Sequence, residues 1–266
     1  SEPIKKIKVI DRDVSNKIEF KNPDEKSYLG YIIKNIYIKK ELIKALKKKE
    51  NVFLYPKFNL NNIESTIDFV YSKSNSQSIK SKLLIAADGK NSFVRKIIRT
   101  PIFTKKYKHE ALVLNINHEK NHNNIAYEIF FKSGPLAILP MKSNLKNNYC
   151  SSIVWSNKPN YFTSLLKISN NNFKSILEEK LEDYIGKIKK INDKKLFNLS
   201  AHLNSSFYEN KIIYIGDAAH SIHPIAGQGW NLGVRDNENL LNAIEEAFEL
   251  GLDIGSSLAM TYEGEL

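Results

Sequence analysis

The sequence is poorest in cysteine. Cys150 stands alone among 266 residues, which excludes an internal disulfide framework and fits a reducing, cytoplasmic compartment. It lies in an apolar stretch, where a small core side chain is expected rather than a nucleophile. Long hydrophobic runs are missing as well. No segment approaches the roughly 18–20 apolar residues that a membrane-spanning helix needs, and the start has no signal-peptide pattern. Arginine is scarce. The 40 basic residues are mostly lysine and outnumber 29 acidic ones, giving a formal net charge of +11. Lysines scattered through asparagine-rich loops do not form the concentrated basic face of a nucleic-acid binder, so no nucleic-acid partner is expected. The densest runs, Lys47–Lys49 and Lys187–Lys190, fall at expected helix ends, where cations favour the dipole. No Ser–His–Asp or Cys–His spacing points to hydrolytic nucleophile chemistry. His220 and His223 are three apart but lack a third ligand at a metal-site spacing.

What is present is enough for a real core. A 42% hydrophobic content over this length suits one large domain or two modest ones. Residues 4–20 read as two strands about a turn. A helix is expected over Lys39–Lys49, with Leu42, Ala45 and Leu46 on one face. Val52–Tyr55 reads as a short strand and Thr66–Tyr71 as a half-buried one, and Ser72–Ser81 as a polar loop. Leu83–Ala87 is a continuous apolar run, the pattern of a buried parallel strand. From Pro101 the texture changes. Residues 111–117, 125–131, 136–141 and 149–155 are four strand candidates with polar connections, the signature of an antiparallel sheet. Phe173–Ile191 has helical spacing of apolar residues, and Leu196–His202 reads as a strand.

The most informative stretch is Ile212–Leu240. A buried strand, Ile212–Ile215, ends at Gly216-Asp217. A turn of small residues follows with Pro224, Gly227 and Gly229, and a helix starts near Trp230 and runs to about Leu250, where Gly251 is placed to end it. Ser256 is placed to cap a last helix. Strand, glycine turn and helix bring backbone N–H groups and a positive dipole end to an anionic or electron-rich ligand. Asp217 can accept hydrogen bonds from sugar-like hydroxyls. Gly227 and Gly229 let a flat ligand approach the backbone. Gln228 and Asn231 offer amide groups, and His220 belongs to the same loop. Asp236 and Glu238 are expected to be solvated or paired, and Trp230 to pack or to border a cavity. A second motif, Asp88, Gly89, Ser92 and Arg95, also follows a buried strand and precedes Gly216 by 128 positions.

Together these motifs resemble those of the class A FAD-dependent aromatic monooxygenases, whose GD motif reads GDAAH, then P, then GQG and N. The wording HPIAGQGWNLGVRD is particularly similar to the branch of ubiquinone-biosynthesis hydroxylases. The second family motif, DG, two residues, S, one or two residues, R, matches Asp88 to Arg95. Weaker likenesses, at GYIIKNIYIKKELIKAL and from Gly134-Pro135 to Pro140, extend over most of the chain.

The resemblance implies an α+β fold. An α/β FAD-binding part would be split between residues 31–98 and 204–266, and an antiparallel substrate-binding sheet would occupy 99–203, joined by strands from 1–30. It implies that Asp217 contacts the ribityl or diphosphate part of FAD, that Pro224 lies near the flavin, and that Gly229 to Asn231 present the helix start to the flavin ring. Asp88 and Arg95 would help to place FAD and NAD(P)H. The family's chemistry would be hydroxylation of a polyprenylated phenol in ubiquinone biosynthesis, with O2 activated as a flavin C4a-hydroperoxide. A greasy substrate would suit peripheral contact with the inner face of a membrane or with a biosynthetic complex. Two features depart from the family. Residues 1–30 contain no GxGxxG turn of a dinucleotide-binding βαβ unit, so the chain reads as an internal piece of a longer enzyme. Lys39 also stands where many relatives have arginine, keeping the charge without the bidentate fork. The alternatives are a flavin hydroxylase of a soluble phenol and a non-catalytic scaffold relative that has lost FAD.

Overall fold

The computed structural model describes every residue except 13, 15, 16, 25, 144–147, 223–226, 256, 257, 259, 260 and 263–266. In chain order come β1 (Glu2–Ile4), β2 (Lys6–Asp11), β3 (Lys17–Lys21), β4 (Gly30–Ile32) and α1 (Asn35–Leu46), then β5 (Asn62–Ser65), β6 (Val70–Lys73), β7 (Ser78–Ser81), β8 (Leu84–Ala86) and α2 (Phe93–Ile98). Next are β9 (Ile102–His118), β10 (Ile125–Phe131), β11 (Gly134–Met141), β12 (Tyr149–Asn157), α3 (Tyr161–Leu165), α4 (Asn170–Ile185) and β13 (Ile188–Asn204). The last stretch holds β14 (Tyr208–Glu209), β15 (Ile212–Tyr214), a 3₁₀ turn at Gly216–Ala218, β16 (His220–Ser221) and α5 (Gln228–Glu249). The chain forms two compact units. One comprises Ser1–Phe53 and Tyr107–Leu199, the other Leu54–Lys106 and Ser200–Leu266.

The first unit is built on a sheet ordered β13-β9-β12-β11-β10-β2-β3. The ladders β9–β12, β12–β11, β11–β10 and β2–β3 are antiparallel. The pair β2–β10 is parallel, which requires a long crossover rather than a hairpin. Period-two alternation puts Leu112, Leu114 and Ile116 of β9 on one face with Ile138, Ile153 and Trp155. Phe162 and Leu165 of α3 and Phe173, Leu177, Leu181 and Ile185 of α4 pack onto that face. Each fully buried side chain of this kind contributes roughly 1.5–3 kcal/mol. The opposite face carries a row across the sheet, Val9, Glu128, Ala137, Val154 and Val113. Burial pushes the Glu128 carboxyl above its ordinary range.

The second unit holds the antiparallel meander β5-β6-β7 and the sheet β14-β15-β8, with β15 and β8 parallel. Ile212 and Tyr214 of β15 face a cluster with Val70, Ala86 and Val94, while Ile213 and Ile215 face Leu240, Ala243 and Ala247 of α5. β15 is thus buried on both faces. The expected parallel strand at Leu83–Ala87 is present, but Ile85 is 43% exposed; among the described residues β8 has a partner on one edge alone.

Several sequence expectations need correction. Ser72–Ser81 is a hairpin, not a loop: β6 pairs β7, and Ser74 Oγ accepts from Gln77 N across the turn at 3.0 Å. Alternation of Ser, Ile and Lys suffices where a partner strand supplies the ladder. Val52–Tyr55 forms no strand, and Phe53 is 74% exposed. The long helix ends at Ile185 rather than Ile191, stopped by Gly186 at φ +68°. Ile188 keeps its place in the core as the first residue of β13. Lys187–Lys190 therefore lies at a strand start, not a helix end. The helix expected from Lys39 begins at Asn35, and that expected from Trp230 begins at Gln228. Gly251 does end α5, at φ +66°. Ser256 lies outside the described residues.

Candidate functional site

The second unit gathers both sequence motifs. β8 ends ahead of Asp88, and Asp88 Oδ2 accepts from the backbone N–H of Phe93 (2.6 Å) and Val94 (3.1 Å). Ser92 is the N-cap of α2, its Oγ accepting from Arg95 N at 3.0 Å. Both oxygens satisfy N–H groups that the first turn leaves unpaired. Gly89 takes φ +84°, the left-handed region glycine permits. Arg95 is buried, not solvated. Its guanidinium donates to the carbonyl of Lys90 at 2.6 Å and to that of Ala218 at 2.9 Å, and lies 3.1 Å from His202 Nε2.

These contacts fix the state of His202. A guanidinium can only donate, so Nε2 must accept. The proton then sits on Nδ1, which donates to Ser221 Oγ at 2.8 Å. The ring is neutral, in keeping with a pKa held low by burial and by the Arg95 and Lys90 charges. Asn204 Nδ2 also donates to the Ala218 carbonyl, at 3.2 Å. The DG helix and the end of β13 thus converge on the turn that follows β15.

That turn is Gly216–Ala218. Gly216 has φ +56°, and α5 comes so close that a Cβ on Gly233 would lie 3.4 Å from the Gly216 Cα. The N–H of Gly216 donates to Asp236 Oδ2 at 2.6 Å, and His220 Nε2–H donates to the same oxygen at 2.9 Å. Asp217, between these fixed atoms, is exposed. Gly227, at φ +64°, begins α5; among the described residues it has no side-chain cap, and an added Cβ at Gly227 or Gly229 would meet nothing within 4 Å. Gln228 and Asn231 are exposed in the first turn. Trp230 is 56% exposed, so it is not a core residue. Pro224 and His223 lie outside the described residues. A cavity of about 850 Å³ opens beside the turn, lined by Phe103, Leu203, Phe207, Ile222 and Leu232 with His202, His220 and Asp236.

The motifs leave out His202 and give Asp236, the last residue of HPIAGQGWNLGVRD, no site role. For Asp236 a signal was available. Gly233, Asp236, Leu240, Ala243 and Ala247 recur at spacings of three and four, so the carboxylate falls on the buried stripe of α5. His202 carries no comparable signal, because its partner Arg95 is 107 residues distant.

Comparison with known proteins now decides the family. The profile of the FAD binding domain family matches residues 59–264, more than half of the chain. The chain belongs to this FAD-binding family. It is 30% identical over 265 residues to the ubiquinone hydroxylase UbiL of Rhodospirillum rubrum, covering 99% of this chain and 61% of that protein. It is 26% identical over 316 residues to the ubiquinone biosynthesis monooxygenase COQ6 of Dictyostelium discoideum, covering 97% and 63%. The chain therefore spans about three fifths of the length of these relatives. Among solved structures, the p-nitrophenol 4-monooxygenase PnpA of Pseudomonas putida DLL-E4 aligns over 97% of this chain and 66% of its own, with a TM-score of 0.74 and 16% identity. That likeness establishes the fold, a mixed α/β architecture shared with FAD-dependent monooxygenases.

The chemistry of the FAD-binding family can be tested against the groups present. FAD asks for a hydroxyl acceptor, a backbone surface free of side chains and donors for an electron-rich ring edge. Asp217 supplies an exposed carboxylate, Gly227 and Gly229 a stretch of backbone without side chains, and the start of a 22-residue helix its positive end. The donor set fits. Asp88 Oδ2, Ser92 Oγ and the Arg95 guanidinium bond within the protein, while Asp88 itself is exposed.

Proposed function

We propose that this chain carries part of the FAD site of an NAD(P)H-using aromatic hydroxylase that acts, with O2, on a polyprenylated phenol in ubiquinone biosynthesis. One observation carries the reading: an exposed Asp217 held between a parallel strand and an uncapped glycine helix start, in a chain similar along almost its whole length to a ubiquinone hydroxylase. Asp217, Gly227, Gln228, Gly229 and Asn231 would hold the cofactor, with Pro224 beside them. Asp88, Gly89, Ser92, Arg95, Gly216 and His220 would frame that surface from behind. We assign residues 54–106 and 200–266 to cofactor binding, and the strand-rich unit to the aromatic substrate.

When bound, FAD supplies the redox and oxygen chemistry. The chain's own work is positional. The Asp217 carboxylate orients a hydroxyl-bearing chain by accepting its protons. The first-turn N–H groups of α5 favour negative charge at the ring edge. The row of Val9, Val113 and Val154 offers an apolar bed to an aromatic ring, and Glu128 can hold or accept a phenolic proton there. Among the described residues no helix is long and apolar enough to cross a membrane. A prenylated substrate would bring this chain, with its net charge of +11, to an anionic lipid surface.

The complete protein should be yellow and should oxidise NAD(P)H faster when a prenylated phenol is added. Failure to take up flavin on reconstitution defeats the reading. Asp217→Ala should weaken FAD binding about tenfold or more, the size of a lost charge-assisted hydrogen bond. Flavin fluorescence titration measures this, and an unchanged affinity removes Asp217 from the site.

A further inference from the structure

Asp236 is a fully buried carboxylate two turns into α5. We infer that Asp236 is a positioning residue for FAD: it fixes the Gly216–Asp217 turn and so aims the Asp217 carboxylate at the ligand. This rests on the FAD reading above.

The geometry supports it from both sides of Asp217. On the leading side, Asp236 Oδ2 accepts from Gly216 N at 2.6 Å and from His220 Nε2 at 2.9 Å. On the trailing side, the Ala218 carbonyl accepts from Arg95 at 2.9 Å and Asn204 at 3.2 Å. The residue in the middle keeps few backbone degrees of freedom. Gly233, three positions before Asp236, faces the same turn, where an added Cβ would stand in ordinary contact 3.4 Å from the Gly216 Cα. An apolar side chain here would leave the Gly216 N–H and the buried His220 ring without their acceptor, which costs stability. The carboxylate holds both through Oδ2, while Oδ1 is buried and has no partner among the described residues. Asp217 presents its own acid to solvent and ligand, while Asp236 is fully buried in the cavity wall and acts through the backbone.

The test is a double-mutant cycle on FAD affinity in the complete protein, read by flavin fluorescence titration. Asp236→Asn keeps the shape and removes the charge. It should weaken FAD about tenfold, and adding it to Asp217→Ala should change affinity less than about twofold further, because both act on one contact. Independent penalties that multiply, or Asp236→Asn binding FAD like the wild type while Asp217→Ala does not, overturn the inference and leave the FAD reading standing. An Asp217→Ala protein that binds FAD normally ends both. If Asp236→Asn does not fold, the wild type still decides. The Gly216 amide proton should resonate well downfield and exchange slowly, as expected of a short bond to a carboxylate. An ordinary, fast-exchanging Gly216 amide overturns the inference.

Discussion

His118 shows how a single buried ring sets acid tolerance. It ends β9 with no exposure. Nδ1–H donates to the Lys120 carbonyl at 3.0 Å, and Nε2 accepts from Ser151 Oγ at 2.9 Å. The neutral ring is fully satisfied, and burial first, with His122 nearby, lowers its pKa from 6.5 to about 4. Because the unfolded chain takes up the proton more readily, the stability held above pH 6.5 is lost as pH falls through the window down to about 4. Urea midpoints across that window should fall steeply for the wild type and less for His118→Gln, whose amide can donate to the same carbonyl and accept from the same hydroxyl. Equal slopes would mean that the ring is not the group responsible. At this scale the sequence was legible in part. Cys150 was expected in the core and is there, its thiol pushed up by burial. Asp236, expected to be solvated or paired, is paired with His220 and the Gly216 N–H, and its stripe also marks it as buried, while Arg95 hides the charge its motif displays. Neither a strand's neighbour nor a helix's partner is written beside the residue it buries.

Elements were most legible where periodicity and punctuation agreed. Strands β9 to β12 announce themselves by alternation between polar connections. The α4–β13 boundary does not, because Ile188 satisfies a helical spacing and also the start of a strand, and Gly186 decides between them. The turn between β10 and β11 gives a sharper test of punctuation. Gly134 takes φ +137°, and a Cβ there would lie 2.5 Å from the carbonyl oxygen of Ser156. Backbone atoms of the neighbouring strand cannot swing aside as a side chain would. Gly134→Ala should cost on the order of 3 kcal/mol, from strain and a displaced ladder together. Gly30→Ala, in β4 with open space around it, should stay within about 0.5 kcal/mol. Urea denaturation of the two variants side by side checks the difference, and similar midpoints would show that the hairpin relaxes freely.

At the scale of the whole chain, the two units answer to different demands. One is a sheet whose core lies against α3 and α4; the other holds the turns that the motifs mark. The motifs were legible because each needs particular residues at fixed short spacing. The pairing of β2 with β10 was not, since a parallel partner more than a hundred positions away leaves no local trace. The proposed division of labour has a measurable consequence. A ligand that binds the folded form stabilises it by mass action, by about 2.7 kcal/mol at a free concentration one hundred times its Kd. FAD added to the complete protein should therefore raise its melting temperature. Local openings answer to nearby contacts alone. Hydrogen exchange should thus slow first in the Gly216–Ala218 turn and the start of α5, where the proposed contacts lie. The β10–β11 turn at Gly134, in the other unit, should keep its exchange rate under conditions where local opening dominates. Equal slowing at both places would mean that exchange reports global unfolding, and slowing confined to the Gly134 hairpin would move the flavin site to the strand-rich unit.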